Sequence, residues 1–112
     1  VKKDVQFIEK IHQVIEENLD NSDFNIDTIA STIGLSRSAF FKKLKSLTGF
    51  APVDLVKEIR LNKSIELIKN SDMSISEIAF AVGFKDSGYF SKCFRKKYDQ
   101  TPREYMNEWR KG

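Results

Sequence analysis

The sequence contains few of the residues on which stapled or metal-bound small domains depend. Of its 112 residues, one is a cysteine, Cys93, and one is a histidine, His12. A single cysteine excludes a disulfide framework within the chain. One histidine and one cysteine are also too few nitrogen and sulfur ligands for a structural zinc site. We therefore expect neither a metal nor any other cofactor.

Long apolar runs are missing as well. The longest contain only a few residues, such as Ile78–Val82, whereas a transmembrane helix needs about 20. We expect no membrane contact by this domain and no secretory leader, whose apolar core is about 7–15 residues long. Because the chain starts at Val1 and not at a methionine, we expect it to be one domain of a longer protein.

Proline and glycine are scarce, with two and five residues. Hydrophobic residues make up 40% of the chain and charged residues 31%, which is typical of a globular domain. A chain of this length can bury a core without staples. No stretch shows the alternation of a strand, so the sequence predicts an all-α fold.

Apolar spacing and capping residues predict about seven helices. The predicted helices cover residues 4–19, 27–33, 36–47, 52–69, 74–83 and 86–98, with a last helix opened by Thr101 and Pro102. Ser36 and Asp86 are the predicted N-caps of the third and sixth helices, and Ser74 with Glu77 can form a capping box. We expect the third helix to bury Phe40, Leu44 and Leu47, and the sixth to bury Phe90, Cys93 and Phe94.

Charge is distributed unevenly along the chain. Residues 1–35 carry a formal charge of −4, and residues 36–112 carry +7. Much of the positive charge lies in the third and sixth helices, in two clusters: Arg37, Lys42, Lys43 and Lys45, then Lys92, Arg95, Lys96 and Lys97. A basic stripe is typical of nucleic-acid binding, but a solvated lysine face has the same composition.

An internal repeat decides between these interpretations. Displacing the sequence by 49 residues aligns nine pairs of identical or similar residues. The pairs are Ile26 with Ile75, Ile29 with Ile78, Ala30 with Ala79, Ile33 with Val82, Gly34 with Gly83, Leu35 with Phe84, Phe40 with Tyr89, Phe41 with Phe90 and Lys43 with Lys92. With one extra residue inserted further along the second copy, Pro52 also aligns with Pro102. Each copy is a short helix, a turn with glycine and a basic helix. This order is that of a helix-turn-helix, and two copies favour DNA binding over a plain helical bundle.

These residues resemble the DNA-binding domain of AraC/XylS-type transcription regulators over nearly the full chain. The segment ISEIAFAVGFKDSGYFSKCFRKKYDQTPREY, residues 75–105, and the segment LSRSAFFKKLKSLTGFAP, residues 35–52, carry the resemblance. Within the family, the chain is most similar to output domains of Bacteroidetes-type hybrid two-component sensors and response regulators. Two positions depart from the family pattern. Asp99 replaces a glycine and should strain its corner, and Ser64 replaces a buried alanine.

The resemblance implies two helix-turn-helix subdomains, residues 1–50 and 71–112, joined by a linker helix at 51–70. It also implies two recognition helices that enter successive major-groove segments of double-stranded DNA. We expect eight residues to face the bases: Arg37, Ser38, Phe41, Lys42, Ser87, Gly88, Ser91 and Lys92. We expect five to face phosphates: Lys45, Tyr89, Arg95, Lys96 and Lys97. For Phe41 and Tyr89, a place in the core remains an alternative.

The resemblance further implies that the chain is the output module of a larger signal-responsive regulator in the cytoplasm, with a full-length protein that is membrane-anchored in some architectures. Its sensor, receiver or dimerisation region and RNA polymerase are then candidate partners. For Arg60, on the linker helix, we expect either a phosphate contact or an ion pair with Glu58 or Asp54.

The sequence also bears on three other function classes. Catalysis lacks a supporting residue cluster: His12 lies in an acidic helix, Cys93 lies on an apolar face, and no glycine-rich phosphate loop occurs. A protein-interaction bundle remains open, because the acidic first helix is suited to docking a partner. RNA binding is less favoured, since single-stranded RNA recognition uses exposed stacking aromatics, and most Phe and Tyr residues here fall on predicted core faces.

Overall fold

The computed structural model describes residues 2–110, and these form seven α-helices with no strand among them. The helices are α1 Lys2–Glu17, α2 Ile26–Ile33, α3 Arg37–Thr48, α4 Pro52–Asn70, α5 Ile75–Ala81, α6 Ser87–Tyr98 and α7 Pro102–Arg110. The predicted all-α class is therefore confirmed. None of the described helices is long and apolar enough to cross a lipid bilayer.

The described residues divide into two compact units. The first contains residues 2–18 and 23–59, and the second contains residues 19–22 and 60–110. The boundary falls inside α4, between Ile59 and Arg60, so this helix contributes its first part to one unit and its remainder to the other.

In the first unit, α2 packs against both α1 and α3. The α1 helix contributes the buried residues Phe7, Ile11, Val14 and Ile15, α2 contributes Ile29 and Ala30, and α3 contributes Phe40 and Leu44. The rings of Phe7 and Phe40 lie 6.2 Å apart. Removing a fully buried phenylalanine side chain such as that of Phe40 costs about 3–5 kcal/mol.

The second unit is built around aromatic side chains. In it, α6 packs against both α5 and α7. Phe90 lies edge-on to Phe84 at 5.2 Å and to Phe94 at 5.8 Å, and both Phe90 and Phe94 are fully buried. Cys93 is buried beside them, as predicted from its apolar face. The structure thus confirms the predicted core residues of α6.

Two sequence predictions about the first unit were wrong at helix ends. Leu47, in the last turn of α3, is 38% exposed and does not belong to the buried core. The α1 helix ends at Glu17 and not at residue 19, since Asn18 turns its side-chain amide back onto the carbonyl oxygen of Val14. Asn18 thereby satisfies one of the free carbonyls of the helix end.

The structure contains the repeat, but the extra residue of the second copy lies in its turn and not further along the chain. The turns themselves match at 49 residues: the amide of Leu35 donates to Ala30, and the amide of Phe84 donates to Ala79. From the N-caps onward every landmark is 50 residues apart: Ser36 and Asp86, Gly49 and Asp99, Pro52 and Pro102.

Phe40 therefore corresponds to Phe90 and not to Tyr89. Both phenylalanines lie four residues after their N-cap, and both are fully buried. Likewise Lys92 corresponds to Lys42 and not to Lys43. The insertion that causes this change of register is Lys85, between the turn and the N-cap of α6.

The two departures from the family pattern are both accommodated locally. Asp99 adopts the left-handed conformation with φ 61°, alone among the non-glycine residues of the described part of the chain. A side chain in this conformation costs about 1–2 kcal/mol. Ser64 is fully buried, and its hydroxyl donates to the carbonyl oxygen of Leu61 at 2.6 Å, so no hydroxyl is left without a partner there.

Candidate nucleic-acid interface

The α3 helix begins where its sequence predicts. Ser36 is extended, with ψ 158°, and its hydroxyl accepts a hydrogen bond from the amide of Ala39. This bond satisfies one of the free amides of the first turn. Because Phe40 and Leu44 point into the core, the opposite side of α3 is directed to solvent. The first turn of α3 is thereby fixed with its side chains free to meet a ligand.

The outer face of α3 consists of the residues predicted to meet DNA. Its members are Arg37, Ser38, Phe41, Lys42 and Lys45, and all five are exposed. At about 100° per residue, their spacing places them within an arc of about 140° on one side of the helix. The structure brings these five predicted residues together on one surface.

Arg37 forms an ion pair that the sequence analysis did not find. Its Nε lies 3.6 Å from a carboxylate oxygen of Asp27, in the first turn of α2. Both side chains are largely exposed, at 71% and 66%, so the pair is worth at most about 1 kcal/mol. The pair orients Arg37 without preventing it from exchanging Asp27 for another acceptor.

Phe41 is 46% exposed and lies in the middle of the basic face. Phe41 therefore does not belong to the buried core of the first unit, and its contact with DNA stays a prediction. An exposed apolar ring among lysines is a suitable contact for a thymine methyl group. The buried residue of α3 that corresponds to Phe90 of the second unit is Phe40.

The α6 helix repeats this arrangement with smaller side chains. Asp86 is its N-cap, and the carboxylate accepts from the amide of Gly88 at 2.7 Å. The residues predicted to face bases lie on one arc, with Gly88 and Lys92 exposed and Ser87 and Ser91 half-buried. They correspond to Arg37, Ser38, Phe41 and Lys42 of α3 at the 50-residue spacing. This face offers two hydroxyls and one cation where α3 offers a guanidinium, a hydroxyl, a ring and a cation.

The residues predicted to meet phosphates in α6 fall into two groups. Arg95 and Lys96 are exposed in the last turns of the helix. Lys97 is half-buried, its ammonium lies 5.3 Å from the ring centre of Tyr98, and desolvation by burial lowers its pKa. Arg95 and Lys96 are thus better placed for a phosphate than Lys97 is.

Tyr89 combines features of both alternatives that were left open for it. It is 49% exposed, and its ring lies 6.0 Å from that of Phe84, a buried residue of the second unit. Tyr98, further along α6, is held differently: its hydroxyl donates to Asn62, and burial raises its pKa to about 12. The raised pKa keeps the Tyr98 hydroxyl protonated well above neutral pH, so that it can donate to Asn62.

For Arg60, the expected ion pair with Glu58 or Asp54 is wrong, and the phosphate contact stays a prediction. Its guanidinium donates to two backbone carbonyls, that of Gly83 at 2.8 Å and that of Asn21 at 3.2 Å. Arg110 is used in a similar way at the end of α7, where it donates to the carbonyls of Ile68 and Met73. The sequence contains no local signal for either arrangement, since the partners lie far away along the chain.

No group of three or more histidine, cysteine, aspartate or glutamate side chains gathers within residues 2–110 in a way that suits a metal ion. His12 is exposed on α1, and the Cys93 thiol is buried. The exposed side chains of α3 and α6 instead offer hydrogen-bond donors, cations and two aromatic rings, those of Phe41 and Tyr89.

The sequence matches the family model described as "Helix-turn-helix domain" over residues 29–108. It is 38% identical to "Histidine kinase P4" of Formosa agariphila over 106 residues, and 34% identical to "HTH-type transcriptional regulator MtrA" of Neisseria gonorrhoeae over 98 residues. These matches cover 95% and 88% of this chain, but only 8% and 32% of the two relatives.

Several solved structures share the fold. An AraC-type transcriptional regulator from Chromobacterium violaceum superimposes with a TM-score of 0.87 at 27% identity, covering 96% of each chain. The DNA-binding domain of AdpA, solved in complex with a target DNA, gives 0.85 at 28% identity, covering 94% of this chain and 93% of that one.

The C-terminal domain of the response regulator yesN from Fusobacterium nucleatum gives a TM-score of 0.79 at 31% identity, covering 88% of this chain and 95% of that one. The matched family model spans both repeated units. The chain therefore belongs to the helix-turn-helix domain family and is an AraC-type DNA-binding domain of transcription regulators.

Proposed function

We propose that the chain binds double-stranded DNA with sequence preference by placing α3 and α6 in successive major-groove segments. One observation carries the proposal: both helices present the same five-position face. Arg37, Ser38, Phe41, Lys42 and Lys45 recur as Ser87, Gly88, Ser91, Lys92 and Arg95 at the 50-residue spacing. A major groove admits one α-helix, which reads bases with its N-terminal half.

The two faces are suited to different parts of DNA recognition. Arg37 has the planar fork that pairs with O6 and N7 of guanine, and Phe41 offers an apolar surface to thymine. In α6 the corresponding positions are Ser87 and Ser91, which are short and half-buried. We propose that α3 carries more of the base readout and that α6 carries more of the positioning on the backbone.

The proposed phosphate contacts lie toward the C-terminal ends of these two faces. Lys45, Arg95 and Lys96 are exposed beyond the first turns of their helices, where a helix lying in the groove meets the flanking backbone. Tyr89 and Lys97 are proposed as weaker contributors, because each also packs on a ring of its own unit.

The matched relatives suggest the wider setting. The chain spans less than a third of either curated relative, one called a histidine kinase and the other a transcriptional regulator, and a structural neighbour is the C-terminal domain of a two-component response regulator. We propose that this domain is the output module of a larger signal-responsive regulator that acts in the cytoplasm, in some architectures from a membrane-anchored protein. A sensor or receiver region of the same protein would supply the signal, and RNA polymerase is a further candidate partner.

Selection from a random duplex library at about 150 mM salt tests the binding proposal, because binding through nonspecific phosphate contacts falls steeply as salt increases. Two short sequence blocks in fixed orientation, about one helical turn apart, should be enriched. Lys42→Ala and Lys92→Ala should each weaken binding to the selected duplex about tenfold, as expected for the loss of one specific contact.

Lys10→Ala is the matched control. It removes the same charge from an exposed position of α1 and should leave affinity within about twofold, since a screened charge outside the interface contributes little. Enrichment of no sequence at all, or equal loss in all three variants, would contradict the proposal and leave only nonspecific attraction.

A further inference from the structure

Arg60, the one arginine of α4, holds two loops of the second unit together. Its Nη1 donates to the carbonyl oxygen of Gly83, in the turn that leads from α5 to α6, at 2.8 Å. Its Nη2 donates to the carbonyl oxygen of Asn21, in the segment Leu19–Ser22, at 3.2 Å. One guanidinium therefore binds two stretches of backbone that lie 62 positions apart in the numbering of the chain.

The Arg60 guanidinium is not paired with an acid. Within the described residues it forms no ion pair, its Nε is buried with no hydrogen-bond partner, and desolvation lowers its pKa. A half-buried cation loses hydration that carbonyl oxygens replace only in part. The carbonyls at the C-terminal end of a helix carry partial negative charge, and Gly83 comes next after Val82, the C-cap of α5.

The turn is shaped around this contact. Gly83 has φ 95°, and a Cβ at this position would lie 2.8 Å from Cζ of Arg60 and would overlap the carbonyl oxygen of Leu19. Bare backbone is therefore needed at Gly83 for Arg60 and the 19–22 segment to reach it. The corresponding turn of the first unit is open, because a Cβ at Gly34 would meet nothing within 4 Å.

We propose that Arg60 is a positioning residue for DNA readout by α6. Gly83 lies three residues before the N-cap Asp86. The position of the α5–α6 turn therefore determines the position of the first turn of α6. That first turn carries Ser87 and Gly88 of the proposed base-facing set, and the N-terminal half of a recognition helix reads bases. The inference rests on the proposed function, and it states that Arg60 positions α6 and not α3.

The test compares Arg60→Lys, Arg60→Gln and Arg110→Gln by selection from the random duplex library. The enriched block that α3 reads is identified by its loss in Lys42→Ala, and the block that α6 reads by its loss in Lys92→Ala. Arg110→Gln is the matched control, because Arg110 also donates to backbone carbonyls of the second unit, at Ile68 and Met73, away from the α5–α6 turn.

Both Arg60 variants should lower enrichment of the α6 block about tenfold or more, as expected for loss of a charged hydrogen bond, and leave the α3 block enriched. Arg60→Lys keeps the charge but lacks the planar fork that reaches two carbonyls, so it should not restore readout. Arg110→Gln should leave the ratio of the two blocks unchanged. All variants are compared below their melting temperatures, and Arg60→Lys carries the test where Arg60→Gln does not fold.

Two results would overturn the role of Arg60 while leaving DNA binding intact. One is restoration of the α6 block by Arg60→Lys, which would make Arg60 a simple charge. The other is an equal loss of both blocks, which would make it a general stability residue. If the unsubstituted chain enriches no sequence, the proposed function itself fails, and with it the inference.

Discussion

At the residue scale, the two turn glycines have the same backbone conformation but different surroundings. Gly34 has φ 85° and Gly83 has φ 95°, and an L side chain is strained at both. Gly34 faces open space, whereas Gly83 faces the carbonyl oxygen of Leu19 and the guanidinium of Arg60. The same substitution at the two positions therefore separates backbone strain from steric overlap.

We expect Gly34→Ala to lower the free energy of unfolding by about 1–2 kcal/mol, which is the cost of a left-handed alanine. Gly83→Ala should cost at least about 2 kcal/mol more, because backbone must also move, as in other overpacked sites. Urea unfolding of the two variants measures both values. Equal costs at the two positions would show that the contact at Gly83 relaxes freely.

Side chains whose role depends on near neighbours were predictable at this scale. The N-caps Ser36 and Asp86 and the buried Phe90 follow from spacing within one helix. The acceptors of Arg60 were not predicted, because they lie 23 and 39 residues away and are backbone carbonyls, which no residue type marks. The exposed Asp27–Arg37 pair was missed because it joins two helices whose side chains meet only once the turn is formed.

At the element scale, two helices begin with the same reciprocal hydrogen bonds. Ser74 and Glu77 form a capping box at α5, and the amide of Thr101 donates to Glu104 while the amide of Glu104 donates to the hydroxyl of Thr101 at α7. The hydrogen bonds from Ser74 and Thr101 lower the pKa of Glu77 and of Glu104, respectively. The first box was predicted from sequence, and the second was hidden by the more conspicuous Thr-Pro signal.

These boxes predict a dependence of stability on pH. Because Glu77 has a lower pKa in the folded state than its ordinary 4.5, its contribution is present above about pH 4.5 and is lost as the pH falls through the folded value. Glu77→Gln still accepts from Ser74 but does not titrate. Urea unfolding between about pH 5 and pH 3 should therefore show a less steep loss of stability in this variant.

Adding Glu104→Gln should flatten the pH profile further, since the second box at α7 works in the same way. A double variant as steep as the unsubstituted chain would show that neither cap contributes to acid sensitivity.

The existence and order of the elements were predictable, and their register was not. The residues of the two copies match at a spacing of 49 as far as the turn. Beyond the turn, the alignment of Phe41 with Phe90 at this spacing is a coincidence of composition. The N-caps Ser36 and Asp86, together with burial, show that Phe40 is the equivalent residue, because Lys85 adds one position to the second turn. A single inserted residue rotates a helix by about 100°, which decides whether a side chain faces the core or the groove.

At the scale of the whole molecule, the charge and the repeat point to the same two helices, α3 and α6. Residues 36–112 carry +7, and residues 1–35 carry −4. Arg37, Lys42 and Lys45 are exposed on the outer face of α3, and Lys92 and Arg95 are exposed on the corresponding face of α6. The family resemblance was visible in the sequence because its landmarks are core and turn residues; the bases that this chain prefers depend on a few exposed side chains and do not follow from the fold.

The central claim is that α3 and α6 each occupy a major groove, and methylation protection on a selected duplex tests it most directly. Dimethyl sulfate modifies guanine N7 in the major groove and adenine N3 in the minor groove. The account predicts two clusters of protected guanine N7 positions, about 10 base pairs apart on one face of the duplex, with the first lost in Lys42→Ala and the second in Lys92→Ala. Protection confined to adenine N3, or a single cluster that both substitutions weaken equally, would contradict it.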